Sequence, residues 1–185
     1  FLCKYDKDGN KIYAKLFEKS EPVSSVFVDQ EGNIYIHDSK YLVKTNSSGK
    51  LLWKKPFSGL LDFYKNNFYK VQPKNVSNSM LSGEVCDSVI LEKYDTAGMQ
   101  IYSKVINVGE NESTIISTNY SLNIIDDKIF LSNSYWGTIN VDPSSSNQVF
   151  ENTRTSDWGD KWGDVPSFNN YLAIYDTLGN LNFAN

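Results

Sequence analysis

The sequence contains the stretch Leu2-Cys3-Lys4-Tyr5-Asp6-Lys7-Asp8-Gly9-Asn10-Lys11-Ile12-Tyr13-Ala14-Lys15. The fourteen-residue pattern of this stretch occurs four times in the chain. The copies span residues 2–15 (copy 1), 42–55 (copy 2), 91–104 (copy 3) and 172–185 (copy 4). Each has Leu at its first place, Asp or Asn at its fifth, Gly at its eighth and an aromatic residue at its twelfth. Such a repeat predicts an architecture of stacked units, because each unit buries its apolar face only against its neighbours.

The segment 22–57 shows what one unit contains. Its apolar and β-branched runs predict strands at 24–28, 34–37, 41–44 and 50–54, separated by turns rich in Asp, Asn, Ser and Gly. Four short strands with tight turns in about forty residues are typical of a β-propeller blade. The sequence therefore predicts an all-β fold built from four-stranded antiparallel blades.

The next unit is expected to have strands at 60–64, 68–71, 89–94 and 99–104, with an extended connection at 72–88. The last unit is expected to have strands at 120–125, 128–132, 171–176 and 181–184. The pattern glycines are 40, 49 and 81 residues apart, so the last interval contains extra chain, assigned to an inserted connection at 133–170. The predicted division is a half blade at 1–17 and blades at 21–57, 58–107 and 111–185. About three and a half blades fall short of the four to eight that close a propeller. We therefore expect the remaining blades in the same polypeptide, with further Tyr-Asp-x-x-Gly repeats upstream of Phe1.

Composition excludes several classes of function. The net charge of −4 is mild and no basic stripe is present, which argues against nucleic acid as a partner. No apolar run approaches the length of a membrane span. The two cysteines, Cys3 and Cys86, show no metal-binding spacing and are expected to be buried or half-buried thiols.

Two of the copies resemble a known family. Leu91-Glu92-Lys93-Tyr94-Asp95-Thr96-Ala97-Gly98 and its counterpart from Leu172 are similar to the repeats of secreted bacterial β-propellers. The segment Tyr135-Trp136-Gly137-Thr138-Ile139-Asn140-Val141-Asp142-Pro143 resembles the long-blade variant of that family. The resemblance implies an exported or cell-surface bacterial protein and carries no established catalytic residues.

Two further resemblances are weaker. The hairpin from Val28 to Ile36 is similar to the first hairpin of NHL-type repeats. Gly49-Lys50-Leu51-Leu52-Trp53 is similar to pyrroloquinoline-quinone-type propellers, in which a Trp at this place docks neighbouring blades. Only one of the four copies has Trp there, and no set of cofactor-binding residues accompanies it, so no cofactor is expected.

The most unusual stretch is Asp157-Trp158-Gly159-Asp160-Lys161-Trp162-Gly163-Asp164, which contains two Trp-Gly-Asp triplets. Trp faces beside carboxylates suit sugar stacking combined with hydrogen bonds to hydroxyls. Three readings stay open: structural cover of a blade edge, a ligand or partner site, and a Ca²⁺ site with oxygen ligands. The candidate ligand-binding residues are Trp136, Trp158, Trp162, Asp157, Asp160 and Asp164.

The sequence gives little support for a catalytic or a metal-binding motif. His37 is the only histidine and is expected at the surface or in a turn, which leaves no Ser-His-Asp arrangement. The loop that starts at Asp6 has Lys11 and Phe17 where an EF-hand needs Gly and Glu, so a hairpin turn is expected instead.

The preferred function is a non-catalytic, exported scaffold that binds a surface protein or glycan through rim loops. The alternatives are a propeller enzyme, a hydrolase or lyase acting on polysaccharide, and a purely structural array. An enzyme should place acids or histidines at the starts of its innermost strands. These places hold Ser24, Ser25, Leu60, Leu61, Tyr120 and Ser121, which favours binding.

Overall fold

A computed structural model describes residues 1–16, 22–79, 83–109, 114–142, 148–152, 155–157 and 164–185. This part of the chain is all-β and contains no helix, hence none that is long and apolar enough to cross a membrane. The chain divides into two compact units, Phe1–Gly59 and Leu60–Asn185, each of which is described by itself.

Unit 1 contains a hairpin and a four-stranded sheet. The hairpin pairs β1 (Leu2–Tyr5) with β2 (Lys11–Lys15). The sheet is antiparallel in the order β3 (Val23–Val28), β4 (Ile34–Asp38), β5 (Tyr41–Thr45) and β6 (Leu51–Pro56). These four strands and their turns match the predicted plan of residues 22–57, and all five residues of β4 are buried.

Unit 2 contains two antiparallel runs of four strands. The first run is β7 (Leu60–Tyr64), β8 (Asn67–Lys74), β11 (Ser88–Asp95) and β12 (Gln100–Gly109). The second run is β14 (Ser121–Ile125), β15 (Lys128–Asn140), β19 (Asn169–Asp176) and β20 (Leu181–Ala184). The ends of β12 and β15 pair with each other, Val108 opposite Asn140, so the two runs belong to one sheet.

Four short strands join the sheet of these runs: β9 (Ser77–Ser79), β10 (Gly83–Cys86), β13 (Ile115–Ser117) and β16 (Val149–Asn152). Two more, β17 (Thr155–Asp157) and β18 (Asp164–Pro166), form a separate two-stranded sheet. The four strands that join the sheet correct two sequence expectations. Residues 72–88 were expected as one extended connection, yet β9 and β10 form a hairpin there. The strand that was expected to end at Ser132 continues to Asn140, inside the predicted inserted connection, because β13, β16 and β19 supply partners along it.

Five turns share one hydrogen-bonded geometry, and four of them lie in the four copies. In copy 1, one carboxylate oxygen of Asp6 accepts hydrogen bonds from the backbone N–H groups of Asp8 and Asn10 at 2.9 and 2.8 Å. The Gly9 N–H donates to the Asp6 carbonyl at 3.2 Å, and the Asp6 N–H to that of Asn10 at 2.9 Å. The same bonds recur in the turns that begin at Asp29, Asn46, Asp95 and Asp176. The turn glycines have φ between +72° and +84°, so the Asp and Gly columns set backbone geometry, as predicted.

In the turns that begin at Asp6, Asp29 and Asp176, the pKa of the first carboxyl group is lowered. In copy 1 the Asn10 side-chain amide donates to the second Asp6 oxygen at 3.0 Å, and this bond lowers the pKa of Asp6 below its ordinary value. Burial opposes ionisation of Asp29, but hydrogen bonds from Asn33 and Tyr35 outweigh it, and the pKa of Asp29 is lowered overall. These three turns are therefore held by charge-assisted hydrogen bonds.

Each copy also has one bulged residue directly before its aromatic residue. In copy 1, Lys4 lies opposite Tyr13 and Tyr5 lies opposite Lys11, which leaves Ile12 without a cross-strand partner in the register. The registers of the other copies shift at the same place. The bulge fixes on which face of the hairpin the aromatic side chain lies, since a shift of one residue would move it to the opposite face.

Two hairpins of unit 2 turn without glycine. Lys65 and Asn66 have φ of 46° and 59°, and Asp126 and Asp127 have φ of 49° and 61°. Two central residues with positive φ are the mark of a type I′ turn, whose twist matches that of paired strands. Lys65-Asn66-Asn67 therefore replaces the Gly-containing turn with an equally tight one.

Consecutive copies pack an aromatic residue on a turn glycine. A Cβ added to Gly49 of copy 2 would lie 3.1 Å from the Tyr13 ring and 3.0 Å from Lys15 Cδ of copy 1. A Cβ on Gly179 of copy 4 would lie 3.6 Å from the Tyr102 ring and 3.0 Å from Lys104 Cδ of copy 3. The aromatic residue at place twelve and the Lys at place fourteen thus cover the glycine of the next copy in both units.

Tyr13 and Tyr102 occupy the same column but differ in their hydrogen bonds. The Tyr102 hydroxyl donates to the Thr177 carbonyl at 3.2 Å. Where copy 1 meets copy 2, the corresponding carbonyl, that of Ser47, accepts from Lys4 Nζ at 3.1 Å. The buried Tyr13 hydroxyl has no hydrogen-bond partner among the described residues.

We expect Tyr102→Phe to lower the free energy of unfolding by about 1 kcal/mol, because it removes one hydrogen bond. Tyr13→Phe is the matched control, and we expect it to leave stability unchanged or slightly raised. Urea denaturation of both variants measures the difference. Equal losses from both would contradict the hydrogen-bond assignment.

Candidate functional site

The structure covers half of the predicted site residues. Trp136 is half-buried on β15, opposite Ile115 of β13. Asp157 and Asp164 are backbone partners in the β17–β18 hairpin. Trp158, Asp160 and Trp162 lie outside the described residues, so the Trp-Gly-Asp segment stays a sequence prediction.

A cavity of about 240 Å³ opens beside β15, where one partner strand gives way to another. The pairing of β14 with β15 starts at Ser121 opposite Ser132, and the pairing of β13 begins with Ile116 opposite Tyr135. On its other side β15 pairs with β19 throughout this stretch. The cavity, called here the polar notch, is lined by Asn119, Tyr120, Ser121, Ser132, Asn133, Ser134 and Asn170.

Short hydrogen bonds hold the walls of the polar notch. The Ser134 hydroxyl donates to the side-chain carbonyl oxygen of Asn170 at 2.6 Å, across the β15–β19 pair. The Asn133 amide donates to the Ser117 carbonyl at 2.8 Å, which ties β15 to the end of β13. The notch is therefore a preorganised set of hydroxyl and amide groups.

Trp136 lies on the same face of β15 as the notch serines. Residues 132, 134 and 136 are all partly exposed while their neighbours are buried, as the alternation of a strand requires. Trp136 therefore follows Ser134 at a distance of about 7 Å along the strand. A half-buried indole thus extends the row of uncharged hydrogen-bonding groups.

No family model matches this sequence, and no curated protein is significantly similar to it. The geometry of the described residues is therefore the basis for inferring the function. The notch residues were missed by the sequence analysis, although two uncharged polar triplets flank it, Asn119-Tyr120-Ser121 and Ser132-Asn133-Ser134. The second triplet interrupts an apolar strand, and that interruption is the signal that could have found the site.

Tyr120 of the notch contacts Cys86, and this pair is poorly suited to catalysis. Cys86 Sγ and the Tyr120 hydroxyl lie 3.1 Å apart. Burial raises the pKa of the Cys86 thiol, and burial together with the contact to Cys86 raises the pKa of Tyr120. A thiol that resists ionisation is a poor nucleophile. Both cysteines are free thiols, Cys86 buried and Cys3 half-buried, as expected.

His37 is not at the surface, and the expectation that it would be was wrong. It is only 3% exposed, because it lies in the inner strand β4, one residue before its end, and packs edge-on against Phe57. One ring nitrogen lies 2.9 Å from the Ser24 hydroxyl and the other 3.1 Å from the Phe57 carbonyl. These contacts give it a structural role in holding β3 and the end of β6 together.

A metal site and a second cavity are the other candidates, and both are less suitable for binding a ligand. Within the described residues, no group of three or more His, Cys, Asp or Glu side chains could hold a metal ion. A second cavity of about 340 Å³ is bordered by Lys104, Asp142 and Tyr175. The Tyr175 hydroxyl is already bonded to the carbonyls of Ile106 and Val141, at 3.1 and 2.8 Å, so it holds the walls together. The polar notch is the better candidate for binding.

Proposed function

We propose that this chain forms blades of a β-propeller and acts as a non-catalytic scaffold that binds an uncharged glycan on the outside of a bacterial cell. The binding part of the proposal rests on the polar notch and Trp136. The cellular location rests on the resemblance of the repeats to secreted bacterial propellers.

The propeller assignment is supported by the repetition of one arrangement. Copies 2, 3 and 4 each form the last two strands of an antiparallel run of four. Consecutive copies meet through the aromatic residue of one and the turn glycine of the next, in both units. Units that repeat their packing in this way are typical of propellers and other repeat folds.

The ligand class follows from the groups in the notch. Hydroxyl and amide side chains can both donate and accept hydrogen bonds, as sugar hydroxyls do. Among the described residues, the lining contains no charged side chain, so these residues offer no counter-charge to an anionic ligand. Trp136 adds an apolar face on which a sugar ring could stack. Small polar groups beside an aromatic residue are also typical of ligand sites in general.

An array of neutral and of sulfated or uronic-acid oligosaccharides tests this proposal. We expect the chain to bind neutral glycans. Trp136→Ala should weaken that binding at least about tenfold, as a central aromatic anchor does when truncated. Ser134→Ala, a milder change, should also weaken it. Ser103→Ala alters an exposed serine outside the notch and should bind as wild type does.

Three outcomes would count against the site. Binding to no neutral glycan would overturn the proposal. So would unchanged binding by both the Trp136→Ala and the Ser134→Ala variants while circular dichroism shows them folded. Loss of binding only in the Trp158→Ala, Trp162→Ala double variant would move the site to the Trp-Gly-Asp segment.

A further inference from the structure

Ser24 and His37 form a contact that takes no part in the polar notch. The Ser24 hydroxyl lies 2.9 Å from Nδ1 of the His37 ring, across the β3–β4 pair. On the other side of the ring, Nε2 lies 3.1 Å from the carbonyl oxygen of Phe57. A hydroxyl, a base and a group that orients the base are the parts of an activated nucleophile. All three residues lie in the four-stranded sheet of unit 1 or directly after it, so their contacts do not depend on further repeats.

The contacts of the His37 ring determine which nitrogen carries the hydrogen. A carbonyl oxygen can only accept a hydrogen bond, so Nε2 carries the hydrogen and donates it to Phe57. In the neutral ring Nδ1 is then an acceptor that faces the Ser24 hydroxyl. The His37 carbonyl oxygen is a second acceptor for this hydroxyl, at 3.1 Å, but Nδ1 is closer. Nδ1 is therefore placed to take the proton of Ser24.

A β-bulge directs Ser24 at the ring. Val23 lies opposite Asp38, and Ser25 lies opposite His37. Ser24 stands between these pairs without a cross-strand partner in the register. Bulges re-aim a side chain and are common beside active sites. Ser24 is exposed while His37 is buried, so an electrophile can reach the serine oxygen while the base is shielded from solvent.

The group that orients the ring is itself fixed. The Phe57 N–H donates to the Lys40 carbonyl at 2.7 Å. The Phe57 ring is buried and packs edge-on against the His37 ring, with 6.3 Å between the ring centroids. The imidazole is thus held in one orientation by a hydrogen bond and by packing, which is the preorganisation that proton transfer requires.

The packing of the repeat does not require a histidine at this position. His37 lies two residues after the buried Tyr35 of its strand, and in unit 2 the residue two places after the buried Tyr69 is Val71. Val71 is fully buried and pairs with Leu60 of the neighbouring strand. An apolar pair fills the same position there, so packing alone does not account for His37.

We infer that Ser24 is a nucleophile, activated by His37, that accepts an acyl group from an activated ester or thioester. Ser24 Oγ forms a bond to the carbonyl carbon of the donor, and its proton passes to Nδ1 of His37. The bond from that carbon to the alcohol oxygen or thiol sulfur then breaks, and the leaving group takes the proton from His37. The product is an ester of Ser24. The inference goes beyond the glycan scaffold proposed above, and one acylation modifies the scaffold without turnover.

An alkyl fluorophosphonate tests the inference on the 185-residue chain. Ser24 Oγ forms a bond to phosphorus, fluoride leaves, and the proton of Ser24 passes to His37. The phosphonyl adduct is stable, so peptide mass spectrometry locates it, and we expect it on Ser24. The labelling rate should fall as the pH decreases through the range in which histidine becomes charged, because a protonated Nδ1 accepts no proton.

Three variants separate the roles of the two residues. Ser24→Ala should remove the adduct. His37→Val should slow the labelling of Ser24 at least about 100-fold and remove its pH dependence, as the loss of a positioned base does. Valine is chosen because Val71 fills the same position in unit 2, so the variant should stay folded. Ser25→Ala changes the neighbouring serine and should be labelled as wild type is.

Absence of an adduct on Ser24 of the wild type would contradict the inference. Labelling of a folded His37→Val variant at the wild-type rate would do so as well, because Ser24 would then react without its base. A wild-type labelling rate that does not fall with decreasing pH would also count against His37 as the base, whether or not the variant folds.

Discussion

Replacing Glu92 by Ala should cost unit 2 about 3–5 kcal/mol, because it leaves a buried ammonium without its counter-charge. Lys70 of β8 and Glu92 of β11 are cross-strand partners, and Lys70 Nζ lies 2.7 Å from the Glu92 carboxylate. Their side chains are only 8% and 10% exposed. The Tyr94 hydroxyl donates to the same carboxylate at 3.1 Å, and burial beside Glu92 raises the pKa of Tyr94 to about 12. A loss of this size is a large part of the stability of an ordinary domain.

Two further variants separate charge burial from packing. The double change Lys70→Met, Glu92→Leu removes both charges and fills similar volume, so its stability should equal or exceed that of wild type. Lys65→Met breaks the exposed pair with Asp127 and should change stability little, because exposed ion pairs contribute little. Hydrogen exchange of the backbone amides of residues 60–109 measures the loss of stability in unit 2, where the ion pair lies. A Glu92→Ala variant no weaker than Lys65→Met would show that the pair is not effectively buried.

The local features of this fold were predictable because their stabilising bonds are local. Each of the five turns that contain Gly is closed by an Asp or Asn side chain that bonds to backbone groups two and four residues later, so the chain segment itself contains both partners. The strands Leu60–Tyr64 and Leu181–Ala184 have the bounds that their apolar runs predicted. A tight turn borders each of them: the turn from Asp176 precedes Leu181–Ala184, and the Lys65-Asn66 turn follows Leu60–Tyr64.

The features that the sequence analysis missed depend on distant partners. The strand β15 extends to Asn140 because segments 115–116, 149–152 and 169–176 pair along it. His37 is buried because Phe57, twenty residues later, packs on it. The polar notch exists only where β13 and β14 leave a gap along a third strand. No window of sequence contains these partners together.

The packing of Tyr13 on Gly49 predicts that Ala substitutions at Gly49 and Gly32 destabilise the chain to different extents, although both glycines have the same backbone conformation. Gly49 and Gly32 occupy the same kind of turn, with φ of +74° and +80°. An Ala at either place costs about 1–2 kcal/mol in left-handed backbone. At Gly32 the new Cβ would meet only the Ser47 Cβ at 3.5 Å, an ordinary contact. At Gly49 it would meet the Tyr13 ring at 3.1 Å and Lys15 Cδ at 3.0 Å, and overpacking of this kind adds about 1–3 kcal/mol.

We therefore expect Gly49→Ala to destabilise unit 1 by about 2–5 kcal/mol and Gly32→Ala by about 1–2 kcal/mol. The location of the damage should differ as well. The Tyr13 ring can escape the new methyl group only if the β1–β2 hairpin moves away from copy 2, so amide hydrogens of residues 2–15 should exchange faster in Gly49→Ala. In Gly32→Ala those amides should keep their protection. Equal exchange of the hairpin in both variants would mean that Tyr13 does not pack on Gly49, and the repeated contact on which the propeller assignment rests would lose one of its two instances.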